Sequence, residues 1–220
     1  MSQTKNNATD WFKSATAKFE CGDFHGAVAD HTKAIDLNPD FAIAYFFRGI
    51  AKHELGDYQG AIADYTKEVS LQPDDAGAFL NRGMAKVQLL DHHGAIADFT
   101  KAIDLNPDYA EAYNHRGIIK AEFGNNQEAL ADFTTEIDLN PDYAEAYNNR
   151  GIASGKLEDY QKALVDFSMA ISLKPNFAQA HLKRGFAYLM LHEKTKAQED
   201  FKRALELGLR VPQKFLDMCK

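Results

Sequence analysis

The sequence predicts an all-α fold, an α-solenoid of six helix–turn–helix repeats, on three observations. Prolines stand at 39, 73, 107, 141 and 175, each 34 residues from the next. The string Asp-Leu-Asn-Pro-Asp occurs at 36–40, 104–108 and 138–142, with looser copies at 70–74 and 172–176. With Ala8 as column 1, six copies of a 34-residue frame fit without a gap. A fixed period of 20–50 residues is the mark of stacked supersecondary units that cannot bury their apolar faces alone.

The frame divides the chain into a leader at 1–7, six repeats within 8–211 and a tail at 212–220. The repeats are 8–41, 42–75, 76–109, 110–143, 144–177 and 178–211. Within each copy, column 8 is Gly49, Gly83, Gly117, Gly151 or Gly185, with Ala15 first, and column 20 is always Ala. Small residues at both places let two helix backbones approach. Column 4 (Trp11, Tyr45, Phe79, Tyr113, Tyr147) and column 24 (Tyr65, Phe99, Phe133, Phe167, Phe201) supply rings to fill the space around them. The punctuation agrees. Asp23, Asp57, Asp91, Asn125 and Asp159 are placed to cap second helices, and Asp40, Asp74, Asp108 and Asp142 to cap first helices. Asp108 with Glu111 and Asp142 with Glu145 have capping-box spacing. Gly22, Gly56 and Gly124 stand where the first helix must end.

These residues carry a family resemblance. The chain resembles the tetratricopeptide repeat (TPR) family over almost its whole length, through the aromatic, Gly, Ala, aromatic and Pro columns at period 34. The resemblance implies a right-handed superhelix whose first helices line a concave groove. It is specific for fold and nearly silent on partner.

The chain departs from the family's pattern at its charged columns. Column 7 is Arg48, Arg82, Arg116, Arg150 and Arg184 where the family has Leu, and column 11 is Lys18, Lys52, Lys86 and Lys120, then Ser154 and Tyr188. Column 23 is Asp in all six copies, and column 27 is Glu68 and Glu136 in two. Cation and anion counts nearly match, and Arg–carboxylate forks suit a partly buried seam, so a ladder of ion pairs joining helices is expected.

On the family's geometry, columns 2, 5, 6, 9, 12 and 13 face the groove. The candidate peptide-binding residues are Phe46, Phe47, Ile50, Asn81, Met84, Asn114, His115, Ile118, Asn148, Asn149, Ile152, Lys183 and Phe186. Ile50, Met84, Ile118, Ile152 and Phe186 give an apolar floor, and the Asn residues an amide wall able to bond both groups of an extended backbone. The carboxylate clamp of chaperone-binding family members is not expected. Its Lys–Asn pair needs columns 5 and 9 of one copy, where repeat four has Asn114 and Ile118, and the last repeat offers only Gln179 and Lys183.

Other chemistry leaves little trace. The net charge of −7 disfavours nucleic acid as a partner. No apolar run is long enough to span a membrane, and the first residues lead into no apolar core of signal-peptide length. Cys21 and Cys219 have no ligand spacing and read as free thiols. No HExxH, no zinc-spaced cluster and no phosphate loop occurs; His92-His93 reads as a solvated turn, and Ser154-Gly155 as ordinary helix. No cofactor and no metal site are expected. The tail, with Phe215, Leu216 and Met218 after Pro212, reads as a short helix that caps repeat six or reaches another chain. The expectation is a cytoplasmic, non-enzymatic adaptor binding a peptide or helix in its groove. The alternative is a self-assembling structural module, a homo-oligomer whose groove or ends are filled by another copy.

Overall fold

The structure, a computed structural model, describes residues 7–219. The described residues form thirteen helices. The first helices are α1 (Ala8–Glu20), α3 (Ala42–Glu54), α5 (Ala76–Gln88), α7 (Ala110–Glu122), α9 (Ala144–Lys156) and α11 (Ala178–Met190). The second helices are α2 (Phe24–Leu37), α4 (Tyr58–Leu71), α6 (His92–Leu105), α8 (Asn126–Leu139), α10 (Tyr160–Leu173) and α12 (Lys194–Glu206). The tail adds α13 (Gln213–Met218). Each first helix starts at column 1 of the 34-residue frame, so the period sets the helix register. Most of the leader, residues 1–6, lies outside the described residues, as does Lys220. The helices fall into two compact units, Met1–Ala112 and Tyr113–Lys220.

In each unit the small columns are fully buried and receive a ring. A Cβ on Gly83 would meet Cε1 of Phe99 at 2.6 Å, and one on Gly151 would meet Cε1 of Phe167 at 2.8 Å. The ring of column 24 therefore lies flat on the first helix of its own repeat. A third small column completes the fit. Ala85, Ala153 and Ala187, at column 10, pack on the column-20 and column-24 residues of the preceding repeat. Such close approach gives dispersion contacts to helices too short to be stable alone.

Capping follows the sequence at the second helices and departs from it at the first. Asp23, Asp57, Asp91 and Asp159 accept from the backbone N–H three residues on, at 2.9–3.2 Å. Asn125 makes no such side-chain bond. At the first helices the N-cap falls one residue after the Asp, on Phe41, Asp75 and Tyr143. Only Asp75 of these accepts a capping bond, from Ala78 N–H. Asp40, Asp74 and Asp142 thus sit one place too early to cap α3, α5 and α9, and the Asp142–Glu145 box does not close. A capping box forms between Asn7 and Asp10 on α1.

Gly22, Gly56 and Gly124 take φ of +77° to +82° at the end of the first helix. The same column in the other copies is Leu90, Glu158 and His192, each forced to φ of +62° to +64°. The left-handed turn belongs to the repeat geometry, and Gly only makes it cheap.

The tail docks. Val211 and Cys219 are buried with Leu189, Phe201 and Ala204, and Phe215 and Leu216 pack on them. The Phe215 ring meets Phe186 edge-on at 4.5 Å between centroids. Continuing the frame past 211 puts Phe215 at the aromatic column 4 and Cys219 at the small column 8. Helix α13 covers repeat six in the way a following first helix would.

Candidate functional site

The seam between helices is a repeated fork. Arg48 Nε and Nη2 donate to Asp64 Oδ2 and Oδ1 at 2.8 and 2.6 Å. Arg82–Asp98, Arg116–Asp132, Arg150–Asp166 and Arg184–Asp200 repeat it. The third corner of the guanidinium reaches back one repeat. Nη1 of Arg48 donates to Thr32, that of Arg150 to Thr134 and that of Arg184 to Ser168. Each Arg also lies over a ring, Tyr45 under Arg48 and Tyr147 under Arg150. A second cation, Lys52, Lys86 or Lys120, completes Asp64, Asp98 and Asp132. Asp166 lacks it, because column 11 is Ser154 there. The expected ladder is present, and it uses the arginines internally rather than offering them to a ligand.

Two buried carboxyls depart from this pairing. Glu136 accepts from Asn114 Nδ2 at 2.8 and 2.9 Å and is pushed up to about 7, first by burial, against the Asn114 bond, with Glu145 adding like charge. Glu68 is fully buried with no amide or cation to pair it, and burial, then the charge of Asp75 and a carboxyl–carboxyl hydrogen bond with it, then Asp74, push it up to about 7. His31, in the ring column of repeat one, is fully buried with neither ring nitrogen bonded, and packs against Phe12 and Phe47. Burial and then the Arg48 charge hold it down at about 4.

The sequence-predicted groove residues separate into two sets. In the first unit Phe46, Phe47, Ile50, Asn81 and Met84 are half-buried. Phe46 and Phe47 belong to one aromatic cluster with Phe12 and Tyr65, and Asn81 donates to Gly77 O of its own helix. In the second unit His115, Ile118, Asn149, Ile152, Lys183 and Phe186 are half-buried. Asn114 and Asn148 are not part of an open amide wall. They are 9% and 2% exposed, and Asn114 spends its amide on Glu136. At Asn114 and Asn148 column 5 looks into the helix pair rather than out of it. The hint was present in the sequence: Glu136 replaces an Ala on the second helix of the same repeat, and a buried carboxyl needs a donor.

One depression gathers three of the expected residues. A pocket of about 240 Å³ in the second unit is lined by Ile152, Lys183 and Phe186. Gly155, Tyr160 and Met190, which were not foreseen as site residues, line it too, over a floor that includes Phe167. Gly155 opens it. A Cβ there would meet only the Cβ of Ala163, at 4.0 Å, whereas the same column elsewhere is Phe19, His53, Val87, Ala121 and Leu189. Among the described residues its charged lining is Lys156 and Lys183. No described group of three His, Cys, Asp or Glu residues converges as a metal site, and no described helix is long and apolar enough to cross a membrane.

Paired helices at period 34, with small and ringed columns interlocking, define a helical-repeat scaffold. The tetratricopeptide repeat model matches residues 12–76 and 80–144 in one form and 144–177 in another, and the chain belongs to the tetratricopeptide repeat family. No curated protein matches the chain. Among solved structures it is similar to the MamA protein, at 28% identity and TM-score 0.71, over 78% of this chain and 98% of that one. It is also similar to YrrB, a TPR protein with an unusual peptide-binding site, at 23% identity and TM-score 0.72, over 80% of this chain and 91% of that one. The C-terminal part of a TPR repeat-containing protein from Cytophaga hutchinsonii aligns at 20% identity and TM-score 0.78, over 89% of this chain and 78% of that one. The tetratricopeptide repeat fold is that of a protein-interaction scaffold.

Proposed function

We propose that the chain is a cytoplasmic, non-enzymatic adaptor that binds a peptide segment or helix on the exposed face of its first helices. In the second unit the binding residues are Ile118, Asn149, Ile152, Lys183 and Phe186, with His115 beside them. In the first unit they are Phe46, Phe47, Ile50, Asn81 and Met84. Asn114 acts from behind, holding α7 against α8 through Glu136.

The observation that carries this reading is the apolar pocket between Ile152, Phe186 and Met190. An exposed concave apolar surface costs solvation free energy, and large ones mark interaction sites. The seam supports it, since arginines engaged by Asp and rings leave the groove's apolar residues as its main recognition chemistry. YrrB, a fold relative with a peptide-binding site of its own, points the same way.

The test is selection of peptides on the full chain from a displayed random library, followed by titration of the enriched sequences. Ile152→Asp and Met190→Asp should weaken binding by about tenfold or more, since each removes apolar contact and buries a charge. Val165→Asp, on the exposed face of α10, should leave it unchanged. Equal binding by all three variants removes the groove from the mechanism. The alternative of self-assembly predicts a mass that rises with concentration in light scattering, reversed by the same groove variants.

A further inference from the structure

The pocket of the second unit differs from the rest of the chain in charge as well as in shape. The chain carries a net charge of −7. The pocket nevertheless has Lys156 and Lys183 in its lining and, among the described residues, no acid. The repeats provide an internal comparison. Column 13, which supplies Lys156, is Glu20, Glu54, Gln88 and Glu122 in the first four copies. Column 6, which supplies Lys183, is Phe47, Asn81, His115 and Asn149 in the four before it. Reversal of charge at column 13 thus coincides with the one copy in which column 12 is glycine, Gly155, and the helix surface opens.

The two lysines are placed differently. Lys156 donates from Nζ to Ala121 O at 2.8 Å, so its ammonium is held at α7 of the preceding repeat, whose residues do not line the pocket. Lys183 is half-buried, and among the described residues its ammonium makes no ion pair or hydrogen bond. The other half-buried lysines of the first helices, Lys18, Lys52, Lys86 and Lys120, all reach an aspartate. An ammonium over an apolar floor, with no carboxylate of its own, favours an anionic group brought by a ligand.

We infer that this pocket takes a large apolar side chain of a peptide, with a neighbouring Asp or Glu side chain paired to Lys183. The inference rests on the groove reading above and names its ligand. The volume of about 240 Å³ admits one Phe, Leu or Trp side chain rather than a folded surface. Charge then selects among apolar peptides, since attraction to the rim adds to a burial energy that is the same for all of them.

The experiment uses the full chain and a set of end-capped heptapeptides with a central Phe, Leu or Trp flanked by Asp, by Asn or by Lys. Capping removes terminal charges, so only side-chain carboxylates are compared. Fluorescence polarisation at low and high salt reads each affinity. The Asp-flanked peptides should bind about tenfold tighter than the Asn-flanked ones, the size of a charge-assisted pair, with the gap narrowing in high salt. Lys183→Met should erase that preference while keeping the affinity of the Asn-flanked peptides. Lys183→Glu should turn it toward the Lys-flanked set, a reversal that a misfolded variant cannot produce. Equal binding of all three sets overturns the inference and leaves the groove reading standing. Binding of none of them overturns both.

Discussion

Arg150 and Asp166 stand sixteen residues apart in the chain and meet fork to fork, Nε to Oδ2 at 3.0 Å and Nη2 to Oδ1 at 2.7 Å. Asp166 is buried, and Arg150 is the cation paired with it. Asp98, in the corresponding place, has both Arg82 and Lys86. Removing one partner of a buried pair leaves a bare charge, which costs about 3–5 kcal/mol. Arg150→Met should therefore destabilise by about that much, and Arg82→Met by about half, because Lys86 remains. Urea denaturation of the two variants checks the order. Equal losses would show that the second cation does not matter.

Glu136 and Glu68 are both pushed up to about 7 from the ordinary 4.5. The folded state keeps these protons to higher pH than the unfolded chain does. The stability this gives is full below about pH 4.5 and is lost as pH rises through 7. Glu136→Gln, which keeps an acceptor for Asn114, should be more stable than the parent by about 1–3 kcal/mol at pH 8 and nearly equal at pH 4.5. A gap that does not grow with pH, in denaturant titrations across that range, contradicts a raised Glu136.

His31 works in the opposite direction. It is held at about 4 against an ordinary 6.5, so the folded state refuses a proton that the unfolded chain accepts. Stability is lost as pH falls from about 6.5 to 4. His31→Phe made together with Ala15→Gly, the pair of residues most other copies carry in columns 24 and 8, should stabilise by about 1 kcal/mol at neutral pH by removing two unmet polar atoms without driving the larger ring against the Ala15 Cβ. The gain should widen as pH falls below 6.5. A variant less stable than the parent at pH 5 would sink this reading of the aromatic cluster.

Two glycines of one helix should answer differently to the same change. Gly151→Ala drives a methyl to 2.8 Å from the Phe167 ring and should cost about 2 kcal/mol or more. Gly155→Ala meets only ordinary contact and should stabilise by about 0.5 kcal/mol, through helix propensity alone. Thermal melts of both variants test whether Gly155 serves the pocket rather than the packing.

The repeats, their helix register and the Arg–Asp fork were legible because each rests on residues recurring 34 apart, so several copies report on one geometric role. What recurs less was harder to read. Asn114 lies on the border between groove and helix pair, where a shift of a few tens of degrees about the axis decides its side. Only its contact with Glu136 settled the matter. The first-helix caps failed for a similar reason, since Asp40 and Asp142 were one residue out of place. Gly155 was passed over as ordinary helix, because a pocket made by a missing side chain shows only beside Phe167, Phe186 and Met190 in space.

The account stands most directly on Gly155. Calorimetric titration of the tightest displayed peptide should be run against the parent chain and against Gly155→Leu, with folding checked by thermal melt. Leucine already occupies this column as Leu189 in repeat six, and a Cβ at 155 meets only the Ala163 Cβ, at 4.0 Å, so the added side chain is expected to occupy the pocket. Loss of the binding heat in a folded variant is the expected result. Undiminished heat from a folded Gly155→Leu chain would contradict the pocket as the place where this scaffold holds its partner.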